Sequence, residues 1–273
     1  MAIIAMTQHI GTQAFELGRL TAERLGYRFL SSEQLYAQLA ERYNVAPAQL
    51  VILDVRRPHF WERLKADTER VAGFFRAVVL KEMAADRLVV VSPSVTHQLP
   101  VTGCGLRVRL TAPLKHRVSR VAAEEDLAQA VAERRVRDYD REMRARIQTL
   151  YNLDLDEPTN FDLVVNTYAR PLTMLAKMLA GLALGIDETI QPEDWQQMRD
   201  AAVAAEVRAA LMLHPKIGHT SLEVHCVKGL VQVNGPGLVP PWDGLIDEVA
   251  RQIEGVRAVE VIAEEQPFPM RPN

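Results

Sequence analysis

Ala2-Ile3-Ile4-Ala5-Met6, then Thr7-Gln8-His9-Ile10-Gly11-Thr12-Gln13-Ala14-Phe15-Glu16-Leu17-Gly18, is the stretch that decides how the rest of the chain is read. The short apolar run reads as a buried strand, and a helical stretch continues to Ala22-Glu23-Arg24-Leu25-Gly26-Tyr27. Strand, glycine-containing turn and helix together aim backbone N–H groups at a phosphate. A working loop reads G-x-x-x-x-G-K-[ST], with Lys on the outer phosphates and a hydroxyl on Mg²⁺. Here Gly11 and Gly18 persist, Phe15 stands where a cation is expected, and the stretch contains no Lys. Phosphoryl transfer depends almost wholly on positioning and charge neutralisation. The loop is therefore expected to keep its shape and lose its catalysis, with Gly11, Thr12 and Gly18 as candidate ligand contacts. The alternative is a strand-to-helix turn with a purely structural role.

The composition bounds the function classes. The 273 residues suit two domains, and 48% hydrophobic with 25% charged residues is ordinary for a globular chain. A net charge of −3 speaks against a dedicated nucleic-acid binder. No leader pattern opens the chain, and the longest apolar run, Leu172 to Ile186, is broken by Lys177, Gly181 and Gly185. A cytoplasmic protein without a transmembrane segment is expected. Cys104 and Cys226 are too few for a metal site, and His9, His59, His97, His116, His214, His219 and His225 have no metal-ligand spacing. They read as structural or surface residues, and no metal site is expected. Ser92 and Ser94 flank Pro93 without the elbow of a serine hydrolase.

Outward from the opening stretch, strand and helix signals alternate. Ser31 to Gln34 has the form of a capping box for a helix to about Tyr43. Pro58 suits the first turn of a helix carrying Phe60, Trp61, Leu64, Val71, Phe74, Phe75 and Val78, the aromatic residues reading as core. Leu88-Val89-Val90-Val91, Arg107-Val108-Arg109-Leu110 and Leu163-Val164-Val165-Asn166 read as further strands. Pro113 and Pro171 open helices, and a charged helix is expected from about Glu124 to Gln148. Short apolar strands separated by helices predict an α/β fold, a parallel sheet covered on both faces.

The pattern changes near Gly185. Gln191 to Trp195 reads as a linker into a new helix, followed by alternating strands at Leu222–Cys226 and Leu230–Asn234, a helix from Pro241-Trp242, and a strand from Ala258 to Ile262. The order αββαβ predicts a small α+β domain. The expected division is a first domain over 1–187, a second over 188–263 and a proline-rich tail over 264–273.

Arg134, Arg137, Arg141 and Arg144 share one helical face at i, i+3, i+7 and i+10, and Arg117 and Arg120 precede them. Such a row can clamp an anion. It can equally be a solvated face, because Glu133–Arg137, Asp140–Arg144 and Glu142–Arg146 are i,i+4 pairs with the acid N-terminal.

Two resemblances add to this reading. Arg107 to Leu114, Arg117, Arg120, Asp140-Arg141, Tyr151-Asn152-Leu153-Asp154-Leu155-Asp156-Glu157-Pro158 and Phe161-Asp162-Leu163-Val164-Val165-Asn166-Thr167 follow the order of the cytidylate-kinase-like family, which residues 1 to about 184 resemble. That resemblance implies a P-loop-kinase-like fold, lid arginines and use of ATP with Mg²⁺. The chain departs from it at Gly11-Thr12-Gln13-Ala14-Phe15-Glu16-Leu17-Gly18, where the family reads like G-S-G-G-R-E-I-G. It departs again at Ser92-Pro93-Ser94, where the family ends its strand in G-R-G. Lys228-Gly229-Leu230-Val231-Gln232-Val233-Asn234-Gly235 with Glu254-Gly255-Val256-Arg257-Ala258-Val259 resembles a BON domain, which implies phospholipid or small-ligand binding or attachment to a partner. The expectation is a catalytically degenerate kinase-like protein with no catalytic residues. It would bind a nucleotide such as ATP, or another small anion, and act as a sensor or assembly module. Self-association or a protein partner would come through the second domain, with no nucleic acid. The alternatives are an active CMP/dCMP kinase using ATP and Mg²⁺, and a structural dimerisation or docking scaffold.

Overall fold

The opening apolar run forms β1 (Ile3–Gln8), the middle strand of a five-stranded sheet. The computed structural model describes residues 1–50, 65–218, 222–236, 238 and 242–264. On one side of β1 lie β3 (Leu88–Val91) and then β2 (Arg28–Ser31); on the other lie β4 (Gly105–Thr111) and then β5 (Leu163–Asn166). All four pairings are parallel, with Ile3 against both Leu88 and Gly105. This confirms the α/β sheet expected from the sequence.

Strand β2 was not anticipated. It has four residues, of which only Phe29 and Leu30 are apolar, and it lies at the sheet edge. So short a segment carries no usable alternation. It runs directly into α2 (Ser32–Tyr43), whose capping box is present: the Gln34 backbone N–H donates to Ser31 Oγ at 3.4 Å and the Ser31 N–H donates to Gln34 Oε1 at 2.9 Å.

Period-two alternation divides the sheet's two faces. Ile4 and Met6, with Val89, Val91, Leu106, Val108 and Leu110, pack against Leu17 and Ala22 of α1 (Ala14–Leu25) and Leu175 and Leu179 of α7 (Leu172–Asp187). Helix α7 is fastened to the chain start through Asp187, which accepts from the Ala2 N–H and, at 2.7 Å, from the Tyr27 hydroxyl. The opposite face begins apolar at Ile3 and Ala5 and turns polar toward the strands' carboxyl ends, at Thr7, Ser92 and Arg109, all buried.

A short helix α3 (Pro47–Leu50) and the long α4 (Lys65–Ala84) follow α2. Phe74 and Phe75 of α4 are buried, as expected, and Phe74 stacks on Tyr43 with centroids 4.5 Å apart. The helix start expected at Pro58, with Phe60, Trp61 and Leu64, lies outside the described residues. The region after Pro113 holds two helices, α5 (Leu114–Glu124) and α6 (Gln129–Tyr151). Glu124 thus ends a helix where the sequence reading began one, because the chain turns through Asp126 at φ 52°.

Two compact units divide the chain, Met1–Trp195 and Gln196–Asn273, and the division falls within α8 (Pro192–Leu213). The second unit continues with β6 (Glu223–Val227), β7 (Leu230–Pro236), α9 (Trp242–Arg251) and β8 (Ala258–Glu264). Its mixed sheet runs β6-β7-β8, antiparallel then parallel. Val207 and Leu211, Ile246 and Ala250, and Val231 and Val233 form its core.

Two glycines meet here for a steric reason. Gly229 and Gly255 both have positive φ, and a Cβ on Gly229 would come 2.7 Å from the Gly255 carbonyl oxygen. The buried Asp200 of α8 holds the same turn, accepting from the Lys228 N–H at 2.7 Å and the Gly229 N–H at 3.2 Å. Asp200→Ala would leave turn donors unpaired, at a cost of about 1–3 kcal/mol. A lowered thermal midpoint of the full chain, with residues 196–264 losing amide protection first, is the expected result.

Candidate functional site

Helix α1 opens with a bare amino end. Gln13 stands at its N-cap in the left-handed region, φ 56°, and no side chain caps the first N–H groups. Such an end favours negative charge. The Thr12 hydroxyl turns back to donate to the His9 carbonyl at 2.8 Å. Phe15 points outward, 54% exposed, edge-on to Phe29 with centroids 5.0 Å apart. Glu16 adds a carboxylate to the first turn.

A cavity of about 660 Å³ lies beside this end, lined by Gly11 and Gln13, by His116, Arg120 and Glu124 of α5, and by Tyr168, Arg170 and neighbours after β5. Tyr168 is exposed and its ring stacks on His116, with centroids 3.4 Å apart and planes 21° apart. Arg120 lies 3.6 Å from Glu124. The cavity thus combines uncapped N–H groups, two guanidiniums and an aromatic face. Ligand crevices form beyond the carboxyl ends of parallel strands. That rule applied to β5 picks out Thr167 to Arg170, the segment that sequence reasoning missed.

Of the residues singled out from sequence, Gly11 and Arg120 line the cavity, and Thr12 lies between the lining residues Gly11 and Gln13. Gly18 lies elsewhere, on the sheet-facing side of α1: a Cβ there would come 2.6 Å from Val91 Cγ2 and 2.8 Å from Phe29 Cε2. Gly11, at φ 78°, sits against α5, and a Cβ would come 2.8 Å from the Arg117 carbonyl oxygen.

Arg117 itself is buried and committed. Its Nη1 and Nη2 donate to the two carboxylate oxygens of Asp140 on α6, at 3.0 and 2.8 Å, and its Nε donates to the Ala112 carbonyl at 3.1 Å. Asp140 therefore does not pair along the helix with Arg144; it is on the inward face of α6, and Arg144 reaches Asp156 at 3.1 Å instead. Arg146 likewise turns inward and is buried. The Glu133–Arg137 pair forms, at 2.7 Å, and Arg141 pairs with Asp138. Arg134, Arg137, Arg141 and Arg144 are all exposed, and none lines the cavity.

Helix α6 also closes the polar end of the sheet. Tyr139, Met143 and Ile147 pack with Leu155 and Phe161, and Tyr151 lies against His97 with centroids 3.9 Å apart and planes tilted by 45°. Burial pushes the His97 imidazole down to about 3, helped by the Arg76 charge. His9 is likewise pushed down to about 3, first by burial and then by Arg109, Arg117 and Arg144. Arg109 Nη2 donates to His9 Nε2 at 3.1 Å, so that nitrogen is the unprotonated one.

Sheet topology and the helices on both faces define a kinase-like α/β fold, with a cavity at the head of the first crossover helix. The family model of the cytidylate kinase-like family matches residues 3–169, and the chain belongs to that family. The cytidylate kinase of Ignicoccus hospitalis is 25% identical over 167 residues, 61% of this chain and 90% of the relative. That of Staphylothermus marinus is 24% identical over 169 residues, 61% and 88%. A solved structure of an uncharacterized protein from Eubacterium ventriosum shares the fold, with TM-score 0.51 and 11% identity over 67% of this chain and 98% of that one.

Two measurements check the energetics. Asp140→Ala leaves a buried guanidinium unpaired and should destabilise by about 3–5 kcal/mol. The exposed pair loses under about 1 kcal/mol in Arg137→Ala. Urea midpoints of the two variants should therefore differ widely. The histidines set a pH response. Below the ordinary value of 6.5 the unfolded chain takes up protons that folded His9 and His97 refuse until about pH 3. Stability falls with pH across that window, by up to about 1.4 kcal/mol per unit per imidazole. His97→Phe should flatten the fall between pH 6 and 4 by about that amount per unit.

Proposed function

We propose that this chain is a nucleotide-binding member of its family that does not transfer phosphate. A BON-like domain, with the bounds 188–263 expected from the sequence, would turn ligand occupancy into association with a partner or a second copy. The observation that carries the reading is the cavity joining the uncapped start of α1 to Arg120, Arg170 and the Tyr168–His116 stack. A base stacks on Tyr168, and a phosphate meets the α1 N–H groups and a guanidinium.

The loss of transfer rests on charge. Phe15 supplies no cation, Glu16 sets a negative charge in the first turn of α1, and Arg117 is consumed by Asp140. The exposed Arg137, Arg141 and Arg144 are each matched by an acid. Transfer of a phosphoryl group from a triphosphate needs more charge neutralisation in its transition state than these residues offer.

The BON-like assignment is supported by the αββαβ order and by the Gly229–Gly255 crossing. No helix among the described residues is long and apolar enough to cross a membrane.

ATP should raise the melting temperature of the full chain, a hundredfold excess over the dissociation constant adding ~2.7 kcal/mol. Tyr168→Ala should weaken that binding by about 1–3 kcal/mol, the worth of one stacked base. CMP with ATP and Mg²⁺ should give no ADP above a blank. Turnover at ~1 per second or faster would establish the active kinase instead. No shift with any nucleotide would leave the scaffold reading.

A further inference from the structure

The surroundings of His9 hold one positive charge too many. Arg109, Arg117 and Arg144 all act on its imidazole. Asp140 answers Arg117 and Asp156 answers Arg144, at 2.8 and 3.1 Å. Arg109 is left over. It lies on β4, 4% exposed, with no carboxylate within ion-pair distance among the described residues. Its Nη2 meets only a neutral imidazole, and its Nη1 is buried with no hydrogen-bond partner. Burial lowers this guanidinium to about 10, which still leaves it charged at neutral pH.

An isolated buried charge is tolerated only when something pairs with it. Alternation on β4 puts Val108 and Leu110 into the apolar core with α1 and α7, which turns Arg109 to the other face. There the Phe161 ring lies 6.0 Å from the guanidinium carbon, and the carboxylates whose charge acts on it are Asp156 and then Asp140, each already engaged by another arginine. The other ring nitrogen of His9, Nδ1, carries the imidazole proton and turns to the Leu110 backbone carbonyl, so the imidazole has no charge to offer.

We propose that Arg109 Nη1 anchors an internal site for a small oxyanion of the phosphate class. The site lies behind the loop, between the carboxyl ends of β1 and β4 and helix α6, and it is separate from the cavity lined by Tyr168. The bound anion completes the charge balance of three guanidiniums against two carboxylates and fastens α6 to the sheet. This inference does not depend on nucleotide binding at the cavity.

The test uses the full chain, inorganic phosphate and three proteins: wild type, Arg109→Met and Tyr168→Ala. In anion-free buffer Arg109→Met should melt no lower than wild type, since the substitution removes an unpaired buried charge and keeps the volume. Phosphate at tens of millimolar should raise the wild-type and Tyr168→Ala midpoints by several degrees and leave Arg109→Met unmoved. A phosphate shift that persists in Arg109→Met, or is absent from wild type, overturns the free-anion site. An ATP shift lost in Arg109→Met, with no phosphate response in wild type, would place a nucleotide's phosphate on the same guanidinium. Crystals of wild type soaked in selenate give a readout independent of the variants. An anomalous peak at hydrogen-bond distance from Arg109 Nη1 is expected, and a water at that position overturns the proposal.

Discussion

A guanidinium and a carboxylate shut away from water must satisfy each other, because the desolvation of each is recovered only through good geometry. Arg117 and Asp140 meet that requirement by two parallel hydrogen bonds, and much of the first unit is arranged around them. This one residue joins α5 to three other pieces of the chain. Its Nε binds Ala112 after β4, its Nη1 also reaches toward the Ile10 carbonyl at 3.5 Å, its partner lies on α6, and its own backbone supports Gly11. The apolar seam of Val118 and Val121 against Ala132 and Val136 holds α5 and α6 at the separation the pair needs. Loss of the carboxylate would leave a charge buried in that seam, so the pair and the packing stand or fall together.

The placement of Asp140 has a second effect. By facing inward it is withdrawn from the helical row of acids that would neutralise the outer arginines, and Arg144 finds Asp156 across a loop instead. Helix α6 therefore has two electrostatic faces with separate balances. The outer one is solvated and closed by local pairs, each worth little. The inner one is dry, and each of its charges matters. A lid helix that moves needs an inner face that tolerates water. The inner face of α6 holds Tyr139, Met143 and Ile147 in an apolar cluster, with an ion pair beside them that tolerates little.

The fold was legible in the sequence wherever burial imposes a period. Apolar runs such as Leu88–Val91 and the sequence from Ser31 to Gln34 each have one physical reading, and the structure follows it. Strand β2 was not legible, because an edge strand of four residues makes no demand on composition. The site was less legible still. A charge row on a helix says which residues share a face and not which way an acid such as Asp140 turns. The strand Arg107–Leu110 was legible, but nothing local in it says that Arg109 is buried with its charge. Tyr168 and Arg170 reach the cavity because they lead from β5 into α7, which packs on α1, a matter of tertiary arrangement that no local pattern contains.

The two glycines that made the opening stretch look like a phosphate loop have packing reasons of their own. Gly11 is required by the Arg117 backbone and by its positive φ, and Gly18 by Val91 and Phe29. Neither requirement involves a ligand, so a chain that had lost all phosphate chemistry would retain both. Groups with no packing reason to be where they are speak more directly of a ligand. Tyr168 is a large ring left exposed over His116, Arg170 and Arg120 point charge into the same cavity, and the first N–H groups of α1 lack a cap. An exposed aromatic and an uncapped helix end are each tolerated singly in many folds. Their convergence on one concave surface is what folding alone does not call for, and it separates the cavity from the loop glycines that first drew attention to this end of the sheet.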